Sequence, residues 1–215
     1  MNFWESFISK IIQGWAVTIE MLIITIPLGV LLAIGLAVAC VYGNKPVSII
    51  ASGIVGTFRG FPLIVTIFII FFALPKVGIY LSPFWSAVSG FILCTGAYQS
   101  KYIEGAIRSI DVGQSLAAQA LGMSRLKEVI HIILPQAIRR ALPGITNEIV
   151  YLILYSSLAS FIGVEEIFSV ARHYNSLNFR PIEIFLTAAM IYAFMATIAD
   201  VSFKALERKL RIRGL

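Results

Sequence analysis

The sequence predicts an all-α integral membrane protein, a single domain over 1–215 with five transmembrane helices. Three observations predict it. The composition is 59% hydrophobic and only 13% charged, against about 45–50% and about 25% in soluble domains. Two runs, Met21 to Asn44 and Val77 to Ser100, carry no charge at all, and each reaches the roughly 20 residues a spanning helix needs. Lys and Arg gather on alternate sides of the apolar runs. Together these exclude a soluble monomer, a disordered chain and a disulfide scaffold. The net charge of +6 does not indicate nucleic acid, because the basic residues are accounted for by topology.

The spans follow from the charge-free runs. Gly60–Pro75, Ile149–Val164 and Ile184–Ala199 are shorter but qualify with their flanks. The five spans are expected near 16–42, 58–75, 83–107, 145–164 and 184–204. The first is read as an uncleaved span, because a signal core runs about 7–15 residues and the apolar stretch from Met21 to Ala39 is longer. Tyr42-Gly43-Asn44-Lys45-Pro46 reads as a tight turn, and Pro62 suits an early turn of the second span.

With the C-terminus in the cytoplasm, the inner side holds Lys45, Arg108, Arg125, Lys127, Arg139, Arg140, Lys204, Arg208, Lys209, Arg211 and Arg213. The outer side holds Lys10, Lys76, Arg172 and Arg180. The excess inside sets the N-terminus outside and the C-terminus in the cytoplasm.

The loop at about 108–143, between the third and fourth spans, is too polar to cross and too apolar for a bare linker. Ser115 to Leu121 is Ala-rich and favours helix. Gly122 can take a positive φ and end it, and Ser124 can cap the next helix. That helix is expected over 125–133, with Leu126, Val129, Ile130 and Ile133 on one face and Pro135 bending or ending it. Two short helices joined by glycine make either a docking knob or an amphipathic hairpin on membrane lipid, held by Arg125, Lys127, Arg139 and Arg140.

Ionisable groups in a span usually face protein or a water path. Lys101 with Glu104, and Asp200 with Lys204, have the spacing of local helix pairs. Ser156 and Ser157 either back-bond to their own helix or line a path, with Tyr155, Tyr98, Gln99 and Glu148 as its other candidates. Cys40 and Cys94 read as small buried hydrophobes. His131 and His173 have no ligand spacing. No metal or catalytic motif appears.

Gly113-Gln114-Ser115-Leu116-Ala117-Ala118-Gln119-Ala120-Leu121-Gly122-Met123-Ser124, followed by Ile132-Ile133-Leu134-Pro135-Gln136-Ala137, resembles the signature loop of ABC importer permeases. Gly14-Trp15-Ala16-Val17-Thr18-Ile19-Glu20, Phe58-Arg59-Gly60-Phe61-Pro62-Leu63-Ile64-Val65 and Ser156-Ser157-Leu158-Ala159-Ser160 resemble the polar amino-acid branch. So does the basic tail ending Leu210-Arg211-Ile212-Arg213-Gly214. The resemblance implies a type I importer permease fold with a cytoplasmic coupling-helix loop between spans three and four. Ala117, Ala118, Leu121, Gly122, Met123, Ser124 and Arg125 would then meet the ATPase. It implies as partners ABC ATPase subunits, a second permease subunit, identical or related, an extracytoplasmic solute-binding protein and a small-molecule substrate, a polar amino acid or related solute. No cofactor is expected in this chain, which lacks a phosphate-cradling G-x-x-x-x-G-K-[ST] loop; ATP and Mg would be bound by the partner ATPase. The chain is therefore not expected to be an enzyme itself. The alternative is a self-sufficient secondary carrier or channel, for which no internal repeat is evident.

Three positions depart from that family's pattern. Leu116 stands where the signature loop usually has glutamate. Lys101 and Glu104 reverse a usual Glu-Arg pair. Leu154-Tyr155 stand where Lys-Asp often precedes the Ser-Ser-Leu stretch. In this branch those charges can hold the amino acid's carboxylate and amine. Either this subunit lacks its own substrate site, or its substrate is held differently.

Overall fold

The computed structural model describes residues 3–210, all of them in helices or their connections, with no strand among the described residues. The final stretch of the basic tail, Arg211 to Gly214, lies outside the described residues.

The first helix, α1 (Phe3–Tyr42), is 40 residues long. At 1.5 Å per residue it measures about 60 Å, twice the hydrocarbon core of a bilayer. Its buried residues form one stripe: Phe7, Ile11, Gly14, Thr18, Met21, Leu22, Thr25, Gly29, Ala33, Leu36, Ala37 and Cys40. The spacing alternates between three and four, so a single face stays covered from end to end.

That stripe packs on α4 (Pro83–Arg108), a 26-residue helix started by Ser82, whose hydroxyl accepts from the Trp85 N–H. Small residues set the distance between them. A Cβ on Gly29 would lie 2.8 Å from Thr95 Oγ1, and one on Gly96 would lie 2.9 Å from Leu32 Cδ2 and 3.2 Å from the Gly29 carbonyl oxygen. The two backbones therefore approach more closely than any side chain would permit.

Between α1 and α4 the chain makes a broken excursion. Asn44 caps α2 (Lys45–Gly60) by accepting from the Val47 N–H at 3.1 Å. Helix α3 (Leu63–Phe68) continues through wider and tighter turns to Val77. The two halves meet at 106°. The second span expected at 58–75 is thus not one straight helix. Phe61 is extended (φ −88°, ψ 139°), because a residue before proline is driven out of the helical region. Pro62 stands just before α3 rather than in an early turn of a longer helix.

After α4 come α5 (Val112–Ala120), capped by Asp111 through the Gly113 N–H at 2.6 Å, and the single turn α6 (Arg125–Glu128). Gly122 has φ +74°, the left-handed turn expected of it. Ser124 occupies the cap position of α6, but its side chain makes no capping bond. Pro135 does not end the helix that follows. A π turn over Val129–Ile133 leads into α7 (Leu134–Tyr155) and a 3-10 stretch over Ser156–Ile162, one continuous rod from Arg125 to Ile162. The same π turn occurs at Ile69–Ala73, again directly before Leu-Pro. In a regular α-helix the proline ring would strike the carbonyl four residues back; the widened turn makes room for it.

Helix α8 (Ile167–Asn178) lies between this rod and α9 (Pro181–Leu210). Three helices are long and apolar enough to cross a membrane: α1, the Arg125–Ile162 rod and α9. The bent α2–α3 pair passes the same test jointly. Helix α4 has the bounds expected of the third span but does not pass it on composition. Its sheltered position explains this. Ser86, Thr95, Gln99 and Ser100 are buried, so it has less need of a lipid-facing apolar coat. Helix α9 is the opposite case. Ile182, Leu186, Met190, Phe194, Ile198 and Val201 form an exposed apolar row, which suits lipid contact.

The core has two large parts and a small one, Leu36 and Cys40 of α1 against Ala51 and Val55 of α2. One large part gathers Phe7, Met21, Phe91, Leu152, Ile167 and Ile184. The other is built of Ala33, Ala37, Ile103, Ala137, Ala141 and Ile145. Glu166 caps α8 in the connection between the rod and α9. Its carboxylate accepts from the Ser169 N–H at 2.7 Å, the Phe168 N–H at 2.9 Å and the Tyr192 hydroxyl. Gly14 leaves space above it, since a Cβ there would lie 2.9 Å from the Glu166 carbonyl carbon. Burial pushes the Glu166 carboxyl up to about 7, against the pull of its three donors.

Two outcomes follow from this packing. Gly29→Leu overpacks the α1–α4 contact and costs about 1–3 kcal/mol, read as a lower apparent Tm in detergent. Glu166 binds its proton more tightly in the folded state, so its contribution to stability is full below about 4.5 and is lost as pH rises through about 7. Apparent Tm measured against pH should fall over that window in the wild type, and Glu166→Gln should flatten the fall.

Candidate functional site

The break between α2 and α3 faces α4 and α7 across a cavity of about 460 Å³. Phe58, Phe61, Pro62, Leu63 and Ile64 line one side, Cys94, Thr95 and Tyr98 come from α4, and Glu148, Tyr151, Tyr155 and Leu158 from the rod. Among the described residues its wall carries one carboxylate, Glu148, and neither Lys nor Arg.

Aromatic rings and hydroxyls frame that carboxylate. Tyr102 donates to Glu148 Oε1 at 3.2 Å. It can reach there because Gly144, one turn earlier, leaves room; a Cβ at 144 would lie 2.6 Å from the Tyr102 ring. Tyr151 and Tyr155 stack with centroids 5.9 Å apart and planes 16° apart. Tyr98 donates to the Arg59 carbonyl at 3.1 Å, and the Arg59 guanidinium lies 5.3 Å from the Tyr98 ring centroid.

Of the six residues expected along a path, the structure brings Tyr98, Glu148 and Tyr155 together in this wall. It places the other three elsewhere. Gln99 is 1% exposed and turned away from the cavity on α4. Ser156 and Ser157 bond to the carbonyls of Ile153 and Leu154 at 2.7 and 2.9 Å, the local back-bonding weighed for them. Of the two positions that lack the usual charged pair, Tyr155 lines the cavity and Leu154 does not. Sequence reading missed Tyr151 and the Phe58–Phe61 side. The signal for Tyr151 was the spacing: 148, 151, 155 and 158 recur at three, four and three, one helical face. The local pairs are formed as spaced: Lys101–Glu104 at 2.8 Å, extended by Arg108, and Lys204–Asp200 at 2.8 Å.

The hairpin of α5 and α6 is the second candidate. Leu121 is 81% exposed, and Ala117, Gly122, Ser124 and Arg125 are also exposed, with Met123 half-buried. Ala118 is buried and faces the hairpin's own interior. The single apolar face expected of 125–133 is divided. Val129 and Ile133 are buried while Leu126 and Ile130 are exposed, because the π turn over Val129–Ile133 changes the angular step between them.

Glu128, 1% exposed, closes the hairpin. Its Oε1 accepts from the Ser115 hydroxyl and from Arg125 Nη1 at 2.6 Å, and Arg125 Nη1 also reaches Ser115 Oγ at 3.0 Å. The Ser115 hydroxyl, with Arg125 beside it, holds the Glu128 carboxyl below its ordinary value. The Arg125 guanidinium in turn lies over the Tyr42 ring, 4.7 Å from its centroid, at the last residue of α1. Arg140 anchors the rod to the end of α4 through the Ser109 carbonyl at 2.6 Å. Among the described residues no group of His, Cys, Asp or Glu is arranged to hold a metal ion.

With this geometry in view, comparison with known proteins is decisive. The family profile described as "Binding-protein-dependent transport system inner membrane component" matches residues 25–212. The chain belongs to that family. This permease is 36% identical over 213 residues to the octopine transport system permease protein OccM of Rhizobium meliloti, covering 95% of this chain and 86% of that one. It is 32% identical over 202 residues to the arginine transport system permease protein ArtQ of Bacillus subtilis, covering 94% and 92%. It is 36% identical over 207 residues to the L-cystine transport system permease protein TcyB of the same organism, covering 96% and 88%. Among solved structures, one titled as an amino acid ABC transporter with histidines superposes with TM-score 0.85 at 27% identity, covering 97% of the permease and 99% of that chain. The methionine transporter MetNI superposes with TM-score 0.84 at 18% identity, which speaks to the fold alone. The permease is the membrane component of an ABC importer.

Proposed function

We propose that this permease carries a polar amino acid or a related small solute across the cytoplasmic membrane, driven by a separate ATPase that binds ATP and Mg. A solute-binding protein delivers the solute from outside, and a second permease subunit, identical or related, completes the path. Five spans cross the membrane, N-terminus out and C-terminus in, with the bent α2–α3 pair as the second and α4 as the third. The α5–α6 hairpin is the coupling element and meets the ATPase through Leu121, Gly122 and Met123, with Ala117 beside them.

One observation carries the substrate reading: a cavity walled by aromatic rings with a single carboxylate, Glu148, at its edge. A carboxylate favours an ammonium or another cationic group, and tyrosine faces add to that attraction. The relatives described above, permeases of octopine, arginine and L-cystine transport systems, support the same class.

The test is reconstitution of the permease with its ATPase and binding protein in proteoliposomes, scored by ATP-dependent uptake of labelled amino acids. Glu148→Gln should lower uptake roughly tenfold or more with the complex intact; unchanged uptake would place the solute elsewhere. Leu121 is too exposed to matter for folding, so Leu121→Glu should abolish co-purification of the ATPase and leave the permease stable. If the ATPase still co-purifies, the docking face is not the hairpin tip.

A further inference from the structure

We propose that Arg125 is a positioning residue that pins the hairpin to the inner end of α1, so that movement of the hairpin is delivered to the first helix as well as to the rod. The proposal rests on the reading of the hairpin as the ATPase-facing element.

The geometry is unusual in joining three elements through one side chain. Arg125 opens α6. It donates to Ser115 on α5 and to Glu128 at the end of α6, and its guanidinium lies over the ring of Tyr42 on α1. Glu128 is buried, so its charge depends on Ser115 and Arg125; a buried carboxylate stripped of its partner is costly. The joint therefore behaves as one rigid piece rather than as a flexible surface pair.

The elements around it explain why such a pin is needed. The hairpin runs without interruption into the rod, so its movement reaches α7 along the backbone. Helix α1 has no such connection. Near this level α1 and the rod share an apolar cluster, with Ala33, Ala37 and Val41 from α1 and Ile133, Ala137 and Ala141 from the rod, a contact with no directional bond to fix one element on the other. A planar guanidinium can stack on a ring and donate in its own plane at once, which an ammonium cannot do. Arg125, grouped by the resemblance with the ATPase-facing residues, also makes these contacts inside its own chain while its side chain stays 56% exposed.

The experiment uses the assembled transporter, with ATPase and binding protein, in proteoliposomes. Uptake, ATP hydrolysis and retained ATPase are measured on the same preparations. Tyr42→Leu removes the ring and should keep the ATPase bound and hydrolysing, while solute moved per ATP falls by roughly threefold or more. Tyr42→Phe keeps the ring and should match the wild type. Arg125→Lys keeps the charge beside Glu128 but loses the planar stack, and should lower the same ratio; it carries the test should Tyr42→Leu fail to fold. A wild-type ratio in both Tyr42→Leu and Arg125→Lys would overturn the proposal. So would loss of the ATPase from Tyr42→Leu complexes, which would make this corner part of the docking surface. Failure of the Leu121→Glu experiment strikes the docking reading instead, so the two failures are distinguishable.

Discussion

The close approach of α1 and α4 is the constraint on which the remaining architecture depends. Gly29 and Gly96 let the two backbones meet, with Thr95 and Leu32 filling the space beside them. The α2–α3 excursion, the rod and α8 pack on that pair, and α9 in turn packs on the rod and α8. The excursion lies on one flank of α4, the rod on another, and α8 covers the N-terminal part of α1 where Gly14 admits the Glu166 backbone. Because α4 is enclosed, it can carry Ser, Thr and Gln side chains that a lipid-facing helix would find costly. That enclosure places Tyr98 and Thr95 at the wall of a cavity instead of against hydrocarbon.

Proline placement governs the second level of organisation. Leu74-Pro75 and Leu134-Pro135 are each preceded by a π turn, and neither breaks its helix. Phe61-Pro62 has no such turn before it, and there the chain bends by 106°. One residue type thus serves two ends. At Leu74-Pro75 and Leu134-Pro135 a widened turn carries the helical path into the proline, Pro27 and Pro143 lie inside α1 and α7 without one, and at Phe61-Pro62 the extended residue before the proline makes the corner that opens the cavity.

The end of α1 at Tyr42, the bounds of α4, the left-handed turn at Gly122 and the local ion pairs were legible from the sequence, because each depends on neighbours within a few residues, whereas α1 starts at Phe3, well before the expected residue 16. Part of the cavity wall was legible too, through Tyr98, Glu148 and Tyr155. What could not be read arose from contacts across the fold. The π turn that splits Leu126 and Ile130 from Val129 and Ile133 leaves no mark in a period of 3.6. Glu128 looks like an ordinary exposed glutamate of a short helix until α5 folds back and Ser115 meets it. Glu166 likewise has no sequence signature that distinguishes it from Glu165, yet one is buried beneath Gly14 and caps a helix while its neighbour is exposed.

The corner at Phe61-Pro62 has a consequence for hydrogen bonding. The first turn of any helix leaves backbone N–H groups without partners inside the helix, and α3 begins with no side-chain cap. Within the depth of a bilayer such groups are tolerated only against protein or a water-filled space. Phe61, Pro62, Leu63 and Ile64 face the cavity, so the uncapped start of α3 adds backbone donors to an otherwise aromatic and apolar wall. On the path proposed above, the polar atoms of a solute would accept from those backbone amides. A polar solute would there have an advantage over an apolar one of equal size, since it satisfies donors that an apolar one leaves unpaired.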